Sequence, residues 1–101
     1  MIRVTVLYPN RDGNTFDMEY YCTTHMPMAQ RLLGAVGISA ELGIGGGAPG
    51  SAAPYLAIGH LLFESLEAFQ NGIASHGAEV MADIPKYTNA APVVQISEVK
   101  L

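Results

Sequence analysis

Charge is what this chain has least of. Only 14% of its 101 residues are charged, against roughly 25% in an average globular domain, while 50% are apolar. Basic residues are scarcer still, 5 against 9 acidic. Arg3, Arg11, Arg31, Lys86 and Lys100 are scattered, so no basic stripe follows a phosphate backbone, and neither nucleic acid nor an anionic membrane surface is an expected partner. No run approaches the roughly 18 apolar residues of a membrane span. Cysteine occurs once, at Cys22, which allows no internal disulfide and lacks the spaced partners of a zinc site. The three histidines, His25, His60 and His76, contain no compact His-x-x-x-His pair, so neither a metal nor another cofactor is expected. Residues Ile2 to Val6 alternate like a strand instead of forming the apolar core of a signal peptide, and a reducing, cytoplasmic location is the expectation.

What the chain does have is apolar residues at regular spacing, enough for one domain over residues 1–101 with a modest core. Residues 2–8 alternate as a strand, ended by the turn chemistry of Pro9 to Asn14. Asp17 is a suitable N-cap for a helix over about 17–35, with Phe16 and Tyr21 spaced as a hydrophobic staple. Its apolar stripe reads Met18, Tyr21, His25, Met28, Leu32 and Val36, with a kink expected at Pro27, which frees the Thr23 carbonyl. Residues 38–44 read as a second strand, and Gly45 to Ser51 as a flexible loop without the Lys-Ser/Thr pair of a phosphate loop. A third strand covers 55–63. Ser65 caps a second helix with the stripe Leu66, Phe69, Ile73, Val80 and Ile84, weakened by Gly72 and open to division at Gly77. Residues 93–99 form a last strand. The order β-α-β-β-α-β is the ferredoxin-like α+β arrangement, an antiparallel four-stranded sheet with two helices on one face.

Two helices cover one face of a sheet, yet the third strand and parts of the fourth are apolar on both. A homodimer that buries the bare faces against each other resolves this imbalance.

The segments Val6-Leu7-Tyr8-Pro9-Asn10 and Phe16 to Pro27, with its Tyr-Tyr-x-x-x-His-x-Pro helix, resemble the opening of EthD-type proteins. His76 to Glu79, Asp83 to Asn89 and Pro92 to Glu98 resemble the bacterial members of that family. The resemblance implies a dimeric α+β barrel. It also implies work in a catabolic pathway of the kind that named the family, a gene set degrading ethyl tert-butyl ether alongside a haem monooxygenase. Two functions stay open: cofactor-free proton transfer, cyclisation, dehydration or oxygenation of a small hydrophobic molecule, or noncatalytic binding and delivery of such a molecule to a monooxygenase.

Tyr21 and His25 lie one helical turn apart on the core-facing stripe, so a phenol stands beside an imidazole that titrates near neutrality. They are the first catalytic candidates, and His76, with Glu79 three residues on, is another. The structural alternatives are a packed His25 bonded to the freed Thr23 carbonyl, and a His76 that only meets the helix dipole. Tyr8, Met28 and Tyr87 are candidate ligand contacts, although amphipathic tyrosines with hydroxyls at solvent also fit. His60 belongs to the dimer face if that face is the one away from the helices. Asp83 reads as a solvated surface carboxylate.

Overall fold

Four alternating segments become one antiparallel sheet in the computed structural model of the chain, which describes residues 1–101. The strands are β1 (Ile2–Pro9), β2 (Gly37–Leu42), β3 (Tyr55–Phe63) and β4 (Val93–Glu98), in the spatial order β2-β3-β1-β4. Helix α1 (residues 18–33) follows β1, and α2 (Leu66–Asp83) follows β3, continuing into a 3₁₀ turn over Ile84–Lys86. This is the ferredoxin-like α+β fold. Val4 and Tyr8 of β1 and Ala57, Leu61 and Phe63 of β3 join Tyr21, Met26, Ala29 and Leu33 of α1 in one buried core. The second strand stops at Leu42, short of the expected position 44, and Ile44 is fully exposed.

Both caps form as the local chemistry dictates. The Asp17 carboxylate accepts from the Tyr20 N–H at 3.0 Å, and the Ser65 hydroxyl accepts from the Ala68 N–H at 3.1 Å. Phe16 and Tyr21 meet edge to face with ring centroids 5.0 Å apart. Helix α1 ends at Gly34, whose φ of 81° needs a residue without a side chain.

The interior of α1 departs from the expected kink. Residues Tyr21–His25 form a π turn, in which the Met26 N–H reaches back five residues to the Tyr21 carbonyl. Pro27 sits just beyond, in the first turn of the α-helical stretch Met26–Leu33, where a missing N–H is tolerated. One extra residue in a turn rotates everything after it by about 100°. The buried stripe therefore runs through Ala29 and Leu33, each one position beyond the expected Met28 and Leu32, with Met26 buried as well. Met28 is only half-buried, and Val36 is exposed.

Helix α2 is not divided at Gly77, which is buried with room for a Cβ only 3.2 Å from Ile73 Cγ2. Gly72 has a different role. A side chain there would overlap the Leu33 carbonyl, so the missing Cβ sets how closely α1 and α2 approach.

The sheet face away from the helices is not uniformly apolar. Strand register places Ser39, His60, Thr5 and Gln95 in one row across all four strands. His60 is hydrogen-bonded through Nδ1 to the Thr5 hydroxyl at 3.2 Å and through Nε2 to Glu41 at 3.0 Å. Leu56, Ile58 and Leu62 alternate with it, half-buried on the same face. The apolar part of the uncovered face is thus confined to the flanks of a polar band.

Gly72→Ala tests the helix contact. Alanine gains about 1 kcal/mol of helix propensity, yet overlap with an immovable backbone carbonyl costs about 1–3 kcal/mol. A net fall in the urea midpoint is expected; a rise would show that α1 and α2 are free to separate.

Candidate functional site

The fold gathers five polar rings and one carboxylate from four segments. Tyr8 comes from β1, Tyr20, Tyr21 and His25 from α1, Asp83 from the end of α2, and Tyr87 from the turn after it. That turn is fastened to the start of α1: the Asp17 N–H donates to the Tyr87 carbonyl at 2.8 Å, and the Thr88 hydroxyl to the Thr15 carbonyl at 2.7 Å. Tyr8, Tyr21, His25 and Tyr87 are all almost completely buried. Their rings pack together, Tyr21 nearly parallel to His25 at 5.6 Å and Tyr87 tilted over His25 at 4.5 Å.

One hydrogen-bonded chain links them. Asp83 Oδ2 lies 2.9 Å from His25 Nδ1, and Tyr20 donates its hydroxyl to Oδ1 at 2.9 Å. His25 Nε2 lies 3.3 Å from the Tyr87 hydroxyl, which is 2.6 Å from that of Tyr8. Burial acts on Asp83 to raise its pKa, but the bonds from His25 and Tyr20 outweigh it and hold the group below the usual carboxylate range. Burial also dominates at His25 and lowers its pKa, against the pull of Asp83. The resting state is therefore carboxylate and neutral imidazole.

Proton directions follow from that state. A carboxylate only accepts, so Nδ1–H donates to Asp83 and Nε2 carries the lone pair. Tyr87 then donates to Nε2, and Tyr8 donates to the Tyr87 oxygen. Burial raises the pKa of all three tyrosines Tyr8, Tyr21 and Tyr87, so they hold their protons. The Tyr21 hydroxyl neighbours Tyr8 and stands over Gly59, where any side chain would overlap it.

Tyr8, Tyr21 and His25 form the polar end of a cavity of about 150 Å³ between the helices and the sheet. Its other walls are hydrocarbon, including Met26, Ala29, Phe69 and Val94. Ile73, Met81 and Val94 line it and are also exposed, so they form its rim between α2 and β4.

Sequence and structure agree on Tyr21 and His25, which share a face and reach the cavity. The Thr23 carbonyl is not the partner of His25; Asp83 is. Asp83 itself is 8% exposed and not a solvated surface group. Tyr8 and Tyr87 bond each other inside the core instead of turning their hydroxyls to solvent. Met28 lies outside the cavity wall, displaced by the π turn, and Met26 takes its place. His76 is bonded to Glu79 at 2.9 Å on an exposed part of α2 and does not join the cluster. Asp83 and Tyr20 are the members that sequence reasoning missed. Asp83 immediately precedes Ile84 at the end of the apolar stripe, a position that hints at burial. No group of three or more histidines, cysteines or carboxylates is placed to hold a metal ion, and no helix is long and apolar enough to cross a membrane.

Residues 14–91 match the family model described as the EthD domain. Among solved structures, an EthD-like protein from Ralstonia eutropha JMP134 is 41% identical, with 99% of this chain and 92% of that chain covered at a TM-score of 0.93. An ethyl tert-butyl ether (EthD) family protein from Bacillus halodurans C-125 shares the fold at 20% identity and a TM-score of 0.74, with 99% of each chain covered. A protein of Arabidopsis thaliana does so at 16% identity and 0.68, with 100% of this chain and 97% of that one covered. No curated protein matches the chain.

The buried pair sets a pH dependence. His25 has a lower pKa folded than the ordinary imidazole value near 6.5, so on acidification the unfolded chain takes up the proton first. Its contribution to stability is complete above that value and is lost as pH falls through the folded pKa. Urea midpoints are expected to drop between pH 7 and pH 5, and His25→Gln to flatten that drop; an equal slope in both proteins would contradict the assignment. Asp83→Asn, which removes the charge that orders the chain, is expected to cost about 2–3 kcal/mol at pH 7.

Proposed function

The chain belongs to the EthD family, and from that premise we propose that it binds a small, largely apolar organic molecule in the cavity beneath α1 and α2 and moves a proton at His25. The observation that carries this reading is the buried Asp83–His25–Tyr87–Tyr8 chain ending at an otherwise hydrocarbon wall. An apolar cavity with a few convergent polar groups is the usual form of a small-molecule site. Its size, about 150 Å³, is on the order of a cavity that holds benzene. A single ring or a compact branched skeleton fits; a bicyclic ligand is too large for it. His25 is the acid–base group, Asp83 fixes its tautomer, and Tyr21 stacks against it. The reaction class is cofactor-free chemistry begun by proton removal, in catabolism of such a molecule.

A second reading, a noncatalytic carrier that delivers the ligand to a monooxygenase, has one observation in its favour. Both His25 nitrogens are bonded within the chain, so a substrate has to displace the Tyr87 hydroxyl before His25 can act on it. The working form is proposed to be a homodimer joined through the uncovered sheet face, supported by the half-buried Leu56, Ile58 and Leu62 there. A cytoplasmic setting is consistent with Cys22 as an exposed free thiol.

Mass spectrometry of gently purified protein identifies a retained ligand, which is then assayed with His25→Gln. Loss of turnover with retained binding is expected; no turnover by either protein makes the chain a carrier. For the assembly, Ile58→Asp is expected to convert a dimer to a monomer in size-exclusion chromatography. A wild-type monomer at micromolar concentration would rule out that interface.

A further inference from the structure

The polar end of the cavity holds one hydroxyl that the fold does not use. The hydroxyls of Tyr8, Tyr20 and Tyr87 each have a partner, as do both nitrogens of His25. The Tyr21 hydroxyl has none. It stands over the backbone of Gly59, and no hydrogen bond joins it to Tyr8 or to any other group. Yet Tyr21 is only 1% exposed, and a tyrosine buried to that degree normally finds a partner for its O–H. No polar side-chain atom sealed inside the protein lacks a bond, so the unbonded Tyr21 hydroxyl is one that open space reaches. That space is the cavity, which Tyr21 lines.

For folding alone, this hydroxyl is a cost without a return. Phenylalanine would present the same ring to Phe16 and His25 and bury no polar atom. The strand also forgoes a side chain at Gly59 to make room for the oxygen. Burial raises the pKa of Tyr21, so the proton stays on and the cavity is offered a donor. The acceptor has to come from the ligand. Tyr21 and His25 stack at 5.6 Å and 13°, so that acceptor is held at the end of the cavity where the imidazole stands. A neutral imidazole takes a proton from carbon most easily beside a carbonyl, whose oxygen receives the electron pair and is stabilised by a donor aimed at it.

We propose that the cavity takes a compact ketone or aldehyde whose carbonyl oxygen accepts from the Tyr21 hydroxyl, and that this bond makes Tyr21 the residue that determines ligand specificity. The proposal rests on the ligand site and acid–base role given above, and its test separates the two. Cyclohexane and cyclohexanone are probes of nearly equal size, one without a polar group and one with an acceptor alone. Binding of each to the wild-type protein and to Tyr21→Phe is read by calorimetry, and the bound ketone by its infrared carbonyl stretch.

Tyr21→Phe is expected to weaken cyclohexanone about tenfold, the effect of leaving its oxygen unpaired in an apolar cavity, and to leave cyclohexane unchanged. The carbonyl stretch is expected at lower wavenumber in the wild-type protein than in the variant. Because the hydroxyl makes no bond in the fold, the variant's urea midpoint is expected to stay the same or rise; a fall would show a structural hydroxyl and overturn the proposal. Should the variant fail to fold, the ¹³Cζ resonance of Tyr21 in the wild-type protein decides, moved by cyclohexanone and not by cyclohexane. Equal loss of both probes, or a carbonyl stretch that does not change on substitution, would overturn the role of Tyr21 and leave the cavity reading intact. Failure of both probes to bind the wild-type protein would remove the ligand site itself.

Discussion

The carboxylate of Asp83 is the constraint around which the helix side of this protein is arranged. A charge at 8% exposure is costly unless its oxygens are bonded. Here His25 and Tyr20 each supply a bond of 2.9 Å, and the Lys86 ammonium stands 3.6 Å away at the surface. Satisfying Asp83 ties the start and middle of α1 to the end of α2. Because a carboxylate cannot donate, it also orients every proton behind it. The tautomer of His25 and the directions of the Tyr87 and Tyr8 hydroxyls are consequences of one buried charge.

Two local concessions make room for that arrangement. The π turn over Tyr21–His25 gives up regular α-helical bonding, which is why such turns are rare outside functional sites. In return it keeps Tyr21 and His25 stacked toward the sheet while Met26, Ala29 and Leu33 still reach the core. At Gly59, in the middle of β3, the strand gives up a side chain so that the Tyr21 hydroxyl can stand over it. Glycine weakens a strand interior, so its presence at the one point beneath Tyr21 is best explained by that close approach.

What was legible in the sequence divides along the distance over which each feature is determined. Strand alternation, the Asp17 and Ser65 caps and the Phe16–Tyr21 staple depend on residues within one turn of each other, and all appear. The shared face of Tyr21 and His25 is equally local. The partner of His25 was not legible, because Asp83 lies 58 residues away and an aspartate beside an apolar stripe reads as solvated when only the stripe is counted. Tyr8 and Tyr87 are 79 residues apart, and each alone reads as an amphipathic ring with its hydroxyl at solvent. Pro27 drew attention to the right helix but suggested a kink; the actual irregularity lies one turn earlier and shifted Met28 out of the site. Alternation within β3 put His60 with Leu56, Ile58 and Leu62, yet only the register between strands reveals the polar row it forms with Ser39, Thr5 and Gln95.

The unfilled space beside the buried cluster has an energetic cost of its own. A void of about 150 Å³ carries a cost on the order of 3 kcal/mol if lined by groups that forgo packing contacts. A domain of this length has only about 5–10 kcal/mol of net stability to set against it. Larger side chains at Ala29 or at Val94 on the rim would recover part of that cost with hydrocarbon alone. The chain instead leaves the space open and places two buried hydroxyls, of Tyr8 and Tyr21, and the His25 imidazole at one end of it, groups that are harder to bury than any aliphatic replacement. Conflict between local stability and the residues actually present is what a functional site produces. A cavity and a buried hydrogen-bonded chain at the same place, each unfavourable for folding alone, are together what supports the proposed reading of this region as a ligand site.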